Sequence, residues 1–484
     1  MRNLWSDIWF GLRLLRKNPG FTTIAVLTLG LGIGANTALF SIVDWLLLRP
    51  LPIAAPSQMT TLSLEQKGRF SNGFSYLDFN DIRSGTTGVF SDVAGYDFGE
   101  DGITADGKTQ PIQIGYVTGS FFPMAGIKPL LGRFILPTEG SVIGADPVLV
   151  LSYSYWSTRF GSDPGVIGKR VAVDGLPVTI VGVAPQGFHG IFNMIDTQGY
   201  MPTGMKSPMF GMAQDFITNR SARSMVLMAR LRNGATLEQA RAAATVVGHR
   251  LSQQFPDVDG GLELKVWKAG PMGPGGSSSS GALDAVAGLF LGLALLVLVL
   301  ACLNVANMLL VRATVRQREM AIRTALGAAR GRLIRQLLAE SMLLALIGCA
   351  AGLFFGFAAS RAVSAMNLRT SLPVVLDFQF DWRVFAYAFG VAALTGILAG
   401  LVPALRASRA NVGEMLHDAG RSATGGKQRL RGALVAAQVA GSMMLLVIAG
   451  LFTRSLAKAQ FADLGFDPKH VLNLTMDPHE IGYN

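Results

Sequence analysis

Five long apolar runs constrain this chain more than any other feature: about Phe21–Leu47, Leu283–Val311, Leu337–Val363, Phe385–Leu405 and Gly432–Phe452. Each reaches the roughly 20 residues that a helix needs to cross the hydrocarbon core of a bilayer. Composition agrees. Only 15% of the 484 residues are charged, whereas soluble domains carry about 25%. The first run follows Arg13, Arg16 and Lys17 and so invites reading as a secretory signal. It is longer than the usual apolar region of about 7–15 residues and ends in "DWLLLRP" without a small-residue cleavage site. A retained membrane anchor over 21–48 is the better reading. The two cysteines, Cys302 and Cys349, both lie inside runs and read as small apolar filler, not a disulfide or metal site.

The placement of charge gives a topology. Residues 1–20 carry +3, residues 312–335 carry +6 and residues 406–431 carry +4, together more than the +11 of the whole chain. Short loops rich in Lys and Arg stay on the cytoplasmic side. The N-terminus and the two basic loops then lie inside, and the segment 49–282 and the C-terminal tail lie outside, with five spans alternating. A nucleic-acid surface would need these arginines on one soluble domain; they flank membrane spans instead, so no nucleic-acid partner is expected.

The outside segment is large enough for a domain with two subdomains. "KRVAVDGLPVTIVGVAP" alternates apolar and polar residues on both sides of Asp174-Gly175, a preferred dipeptide of tight hairpin turns. "GATLEQARAAATVVGHRLSQQFP" has a Thr236 start signal, helical spacing of Leu237, Ala240, Ala244, Val247 and Leu251, and a terminating Pro256. The domain is therefore mixed α/β. "AGPMGPGGSSSSGA" (269–282) is a flexible linker. "GVIGKR" (165–170) faintly echoes a phosphate loop, yet it lacks the spacing and runs into a strand rather than a helix. His189 and His249 have no partner at ligand or triad spacing and read as isolated histidines. No catalytic residue, metal site or cofactor is expected.

Within the spans, Gly30 and Gly34 are spaced to let helix backbones approach, and Asn36 is placed to hydrogen-bond between helices. Asn304 and Asn307 lie on one face of the second span. Such polar groups point into a bundle, as packing glue or along a moving interface. Residues 1–20 place Trp5, Ile8, Trp9, Leu12 and Leu15 at helical spacing beside basic residues, as an amphipathic helix on the inner membrane face. The loop 312–336 also reads as a helix, with a Glu319–Arg323 pair and apolar Met320, Leu326, Leu333 and Leu337, interrupted at Gly327 and Gly331. Lipid headgroups would account for its arginines but not for the apolar residues and Gly327 ordered among them, which suit docking into a protein groove.

"REMAIRTALGAARGRLIRQLLAES" (318–341) resembles the cytoplasmic segment of FtsX-like permease domains in MacB-type ABC exporter permeases. "YVTGSFFPMAGIKPLLGRFI" (116–135), "VLSYSYWSTRFGSDPGVIGKRVAVDGLPVTIVGVAPQGF" (150–188) and "LRLLRKNPGFTTIAVLTLGLGIGANTALFSIVD" (12–44) are similar to that family's periplasmic core and first span. "VPALRASRANVGEMLHDAGR" (402–421) is similar to the end of its fourth span. The resemblance implies an extracytoplasmic core domain over 49–282 and an FtsX-like transmembrane domain over 283–405. It implies a mechanical lever gripped by a cytoplasmic ABC ATPase dimer, with Glu319, Ile322, Arg323, Leu326 and Gly327 facing the ATPase. No phosphate loop is present, so ATP hydrolysis is expected from that partner, and the bacterial inner membrane is the implied location.

The sequence departs from the simple family pattern after residue 405. A basic linker (406–431), a fifth span (432–453) and the start of a second outside domain (454–484) look like a duplicated permease type. The chain is then expected to be a fragment or truncated product, with a second permease half or an adaptor as a further partner. A transmembrane signal transmitter regulating an envelope enzyme is the alternative to export. The large outside domain and the duplication favour export.

Overall fold

The computed structural model describes residues 9, 12–13, 15–44, 48, 51–192, 195–206, 215–270, 280–315, 330–364, 382–408 and 425–460. In chain order, helix α1 (Pro19–Val43) is followed by β1 (Met59–Gln66), β2 (Arg69–Ser71), α2 (Tyr76–Gly85), β3 (Phe90–Ala105), β4 (Lys108–Val117) and α3 (Phe121–Ala125). Next come β5 (Leu131–Gly132), β6 (Val148–Leu151), α4 (Tyr153–Arg159), β7 (Arg170–Val173), β8 (Leu176–Val183) and β9 (Gly199–Pro202). β10 (Val226–Leu231), α5 (Leu237–Gln254) and β11 (Leu262–Lys268) complete the strand-bearing part. Four long helices follow: α6 (Ser280–Val315), α7 (Arg330–Ser364), α8 (Trp382–Ser408) and α9 (Gly425–Gln460). The chain divides into a helical unit holding α1 and α6–α9 and a strand-bearing unit over Leu46–Ala285.

The helical unit is made of apolar sequence that can satisfy its backbone only by coiling, because hydrocarbon offers no hydrogen-bond partner. Among the described residues, four helices are long and apolar enough to cross a membrane: Pro19–Val43, Ala285–Val311, Ile334–Ala358 and Gly432–Lys458. The expected span at Phe385–Leu405 lies on α8, where the described apolar stretch, Trp382–Leu398, is shorter. Contacts fix the helix directions. Gly30 and Gly34 meet Gly348 and Gly352, so α1 and α7 run parallel. Gly32 meets Ala301, and Asn36 bonds Ala294; α6 is antiparallel to both. Residues 36 and 44 of α1 meet 387 and 383 of α8, again antiparallel. Gln438 and Gly441 of α9 meet Asn307 and Leu300 of α6, also antiparallel. Directions therefore alternate along the chain from α1 through α6, α7 and α8 to α9.

On α9 only Leu434, Gln438, Gly441, Leu445, Ile448 and Ala457 are half-buried among the described side chains. The first five follow the 4-3-4-3 spacing of a single helix–helix seam. Gly331 lies in the first described turn of α7, and Gly327 lies outside the described residues. Near the N-terminus, Leu15 is buried, whereas Trp9 and Leu12 are exposed; Trp5 and Ile8 lie outside the described residues.

The strand-bearing unit has two lobes built on one continuous sheet. In the first, β11, β1, β10 and the N-terminal half of β3 form an antiparallel sheet. Helices α2 and α5 cover it, around Phe74, Phe79, Ile82, Leu227, Leu251 and Leu264. Thr236 caps α5 in a reciprocal box with Gln239, and Ala240, Ala244, Val247 and Leu251 are buried. In the second lobe the ladder closes on itself: β3 pairs β4, β4 pairs β9, β9 pairs β6, β6 pairs β8, β8 pairs β7, and β7 returns to β3. This six-stranded barrel is filled by Ile103, Ile114, Leu149, Val173, Ile180 and Met201. β3 belongs to both lobes because its sixteen residues outrun either sheet. The β7–β8 turn is Asp174-Gly175 with both φ angles positive (46° and 77°), the geometry whose twist matches flanking strands. A third core of Tyr96, Phe121, Phe122, Phe188 and Tyr200 joins the lobes.

Candidate functional site around the first membrane helix

Helix α1 is held on three faces, each by different chemistry. Against α7 the contact is backbone on backbone. A Cβ added at Gly34 would lie 3.0 Å from the Gly352 carbonyl oxygen, and one at Gly30 would lie 3.2 Å from Ala351 Cβ. One at Gly352 would lie 2.8 Å from Gly30 O and 2.9 Å from Gly34 N. Only glycine permits this approach, and it is what allows helices to associate without a hydrophobic drive between them. Against α6, Gly32 sits over Ala301.

The third face is polar. Asn36, fully buried, has both ends of its amide engaged: Nδ2 donates to the Ala294 carbonyl of α6, and Oδ1 accepts from the Tyr387 hydroxyl of α8, each at 2.5 Å. One helical turn on, the Phe40 ring stacks on Tyr387 with centroids 3.9 Å apart. A further turn on, Asp44 lies 3.7 Å from the Arg383 guanidinium. Residues 36, 40 and 44 share one helix face, as do 383 and 387, so the ladder follows from helical periodicity alone. An amide with no partner in hydrocarbon costs several kcal/mol; Asn36 thus ties three helices together in one arrangement.

Asn307, on α6, donates from Nδ2 to Gln438 Oε1 of α9 at 3.3 Å, and Asn304 is half-buried one turn before it. Glu319, Ile322, Arg323, Leu326 and Gly327 lie outside the described residues, between the end of α6 and the start of α7. Cys302 and Cys349 are free thiols. Sequence reading did not single out Phe40, Asp44, Arg383 or Tyr387. The available signal was an acid closing the first span and "DWRVFAY" opening α8, an arginine and a tyrosine four apart beside hydrocarbon.

In the strand-bearing unit, His189 is not isolated: its Nδ1 lies 3.1 Å from Asp196 Oδ1, and the Thr197 amide donates to its carbonyl. The loop folds back between them, a closeness that the seven-residue spacing conceals. Asp78 and Asp259, both buried, share Arg220 and Arg223. Burial, with Asp78 beside it, raises the Asp259 carboxyl above its usual range. No group of three or more metal-ligating side chains occurs among the described residues.

A bundle of apolar helices joined to a barrel-bearing outside unit defines a polytopic membrane protein with an extracytoplasmic domain. Residues 22–247 match the MacB-like periplasmic core domain, and residues 291–412 match the FtsX-like permease C-terminal domain. The chain thus carries a MacB-like core followed by an FtsX-like permease domain and is a distant homologue of MacB- and YknZ-type ABC permeases. It is 30% identical over 298 residues to the macrolide export ATP-binding/permease protein MacB of Chromobacterium violaceum, covering 60% of this chain and 41% of that one. It is 27% identical over 245 residues to the uncharacterized ABC transporter permease YknZ of Bacillus subtilis, covering 50% and 55%. The chain spans about half or less of the length of these curated relatives. The solved extracellular domain of YknZ aligns at 15% identity and a TM-score of 0.32, covering 42% of this chain and 99% of that one. The periplasmic region of MacB from Actinobacillus actinomycetemcomitans aligns at 15% and 0.33, covering 48% and 94%. The fold described above rests on its own strands and helices, not on these likenesses.

Proposed function

We propose that the chain is the permease subunit of an ABC-type export system that works by mechanotransmission. A partner ATPase dimer in the cytoplasm grips the segment 312–336 through Glu319, Ile322, Arg323, Leu326 and Gly327. ATP hydrolysis belongs to that partner. The carrying observation is the succession of a MacB-like core (22–247) and an FtsX-like domain that opens within α6 (291–412). The names of the MacB relatives and of the pyoverdine export ATP-binding/permease protein PvdT of Pseudomonas syringae favour export. The substrate class that fits this reading is lipophilic or peptide-like.

The helix packing supports a lever. The segment in question joins α6 to α7, and α7 contacts α1 at glycines of both helices, where the two backbones approach closely. A movement of α7 therefore carries α1, whose chain continues into the extracytoplasmic unit. The positive-inside pattern supports a cytoplasmic N-terminus in the bacterial inner membrane. The test is co-purification of the full chain with candidate ABC ATPases, comparing wild type with Glu319→Arg and Leu326→Asp. Loss of the ATPase in both variants is expected; retention in both removes the coupling role.

A further inference from the structure

The barrel of the extracytoplasmic unit closes through a short seam. β3 and β7 pair only at Ile103↔Val173 and Thr104↔Ala172. The tip of the β7–β8 hairpin extends the seam by two bonds: the Asp174 amide donates to the Gly102 carbonyl at 2.9 Å, and the Gly102 amide donates to Asp174 Oδ1 at 2.6 Å. Beside this junction stands Asp101, only 1% exposed. Strand alternation sends residues 101, 103 and 105 to one face, and Ile103 and Ala105 belong to the barrel core. The carboxyl of Asp101 is therefore directed inward. Its Oδ1 accepts from the Tyr116 hydroxyl at 2.8 Å, and its buried Oδ2 has no hydrogen-bond partner among the described residues, while Asp174 sits alongside with its Oδ1 held by the amide of the very next residue, Gly102.

Charge balance around this pair is unusual. From β4 it meets Tyr116, and from the hairpin tip Asp174. The cation bearing on it is Lys206, whose ammonium is bonded to Asp97 and to Ser224 Oγ. On β3 itself, Asp97 adds negative charge felt by Tyr116, whose hydroxyl is held well above its usual range by burial and by Asp101. Two carboxylates side by side at low dielectric cannot both ionise cheaply, so one proton belongs to the pair rather than to either residue. Burial, then the charge of Asp174, pushes the Asp101 carboxyl up to about 8.

We propose that Asp101 and Asp174 form a proton-sharing pair that links closure of the barrel seam to pH. With the proton in place, the Asp101 carboxyl donates to Asp174, and the hairpin tip stays docked on Gly102. When the proton leaves, two like charges face each other at the only junction between β7 and β3, and the tip is driven off. The native carboxyl titrates far above the unfolded value of about 3.9. The folded seam therefore binds more protons than the unfolded chain between those limits. Its stability is full below the unfolded value and is lost as pH rises toward about 8.

The test uses the full chain in detergent micelles, comparing wild type with Asp101→Asn, whose amide stands in for the protonated acid and donates to Asp174. Hydrogen exchange is followed at Gly102 and over residues 170–176 from pH 6 to 9, corrected for the intrinsic dependence of exchange on pH. In wild type the corrected exchange rises with pH; in Asp101→Asn it stays flat. In parallel, the melting temperature of wild type falls by about 3–5 °C per pH unit more than that of the variant between pH 6 and 8. Identical pH profiles for the two proteins overturn the proposal, as does failure of Asp101→Asn to fold. Millimolar calcium is added in a further arm at pH 9. If it docks the hairpin in wild type and not in Asp101→Asn, the pair is a cation site and the proton reading is wrong; no effect of calcium is the expected result.

Discussion

Gly352→Ala is a one-carbon test of the α1–α7 seam. The added Cβ would fall 2.8 Å from Gly30 O, 2.9 Å from Gly34 N and 3.3 Å from Ile33 Cβ. The first two are backbone atoms of the neighbouring helix, so no rotamer change relieves them. The helices must separate by several tenths of an ångström, and overpacking of that kind costs about 1–3 kcal/mol. Separation also weakens dispersion along the seam, since a gap of about 0.5–1 Å forfeits a quarter to a half of each contact. The substitution itself improves helix propensity by about 1 kcal/mol. That gain is common to any helical Gly→Ala change and needs a reference. Gly390 on α8 supplies one, because nothing lies within 4 Å of its added Cβ. Gly390→Ala is thus expected to be neutral or slightly stabilising, and Gly352→Ala to be less stable than it by about 1–3 kcal/mol. The assay is unfolding of the full chain in mixed micelles by SDS titration, read by tyrosine and tryptophan fluorescence and by helical circular dichroism. Equal effects of the two substitutions, or a Gly352→Ala protein more stable than wild type, would refute close backbone packing at this seam.

The polar ladder is open to a double-mutant cycle with Asn36→Leu and Tyr387→Phe in the same assay. Interhelical hydrogen bonds in membranes couple by about 0.6 kcal/mol on average; strictly additive effects would mean that the amide and the hydroxyl do not meet. In the strand-bearing unit, Arg223→Ala leaves the buried carboxylates of Asp78 and Asp259 with Arg220 alone. Breaking a buried ion network from one side costs about 3–5 kcal/mol, and the partial exposure of Arg223 (18%) puts this case at the low end. Thermal melting of the full chain with a domain-specific probe such as Trp267 checks it, and a change within experimental scatter counts against the network.

Much of the helical unit was legible in the sequence, because crossing a bilayer imposes length and apolarity on each segment separately. α1 (Pro19–Val43) begins two residues before the expected run Phe21–Leu47, whose residues 45–47 lie outside the described ones. The Thr236 cap and the Asp174-Gly175 turn were legible for a similar reason: each is decided by residues within one turn of chain. The ladder was half visible. Asn36 stood out as an amide in an apolar run, whereas Asp44, Arg383 and Tyr387 acquire meaning only when α8 lies antiparallel to α1.

By itself, the sequence determined which segments are apolar enough to enter a membrane, where charge accumulates between them, and which local turns and caps start and stop the elements of the outside domain. These are properties of short windows, set by transfer free energy and backbone preference. Tertiary structure alone decided that β7 returns to β3 to close a barrel and that Asp101 meets Asp174 inside it, 73 residues away. It also decided that Gly352 lies against the backbone of α1. Such pairings join residues far apart in the chain, and their free energy comes from the fit of surfaces that no single segment contains.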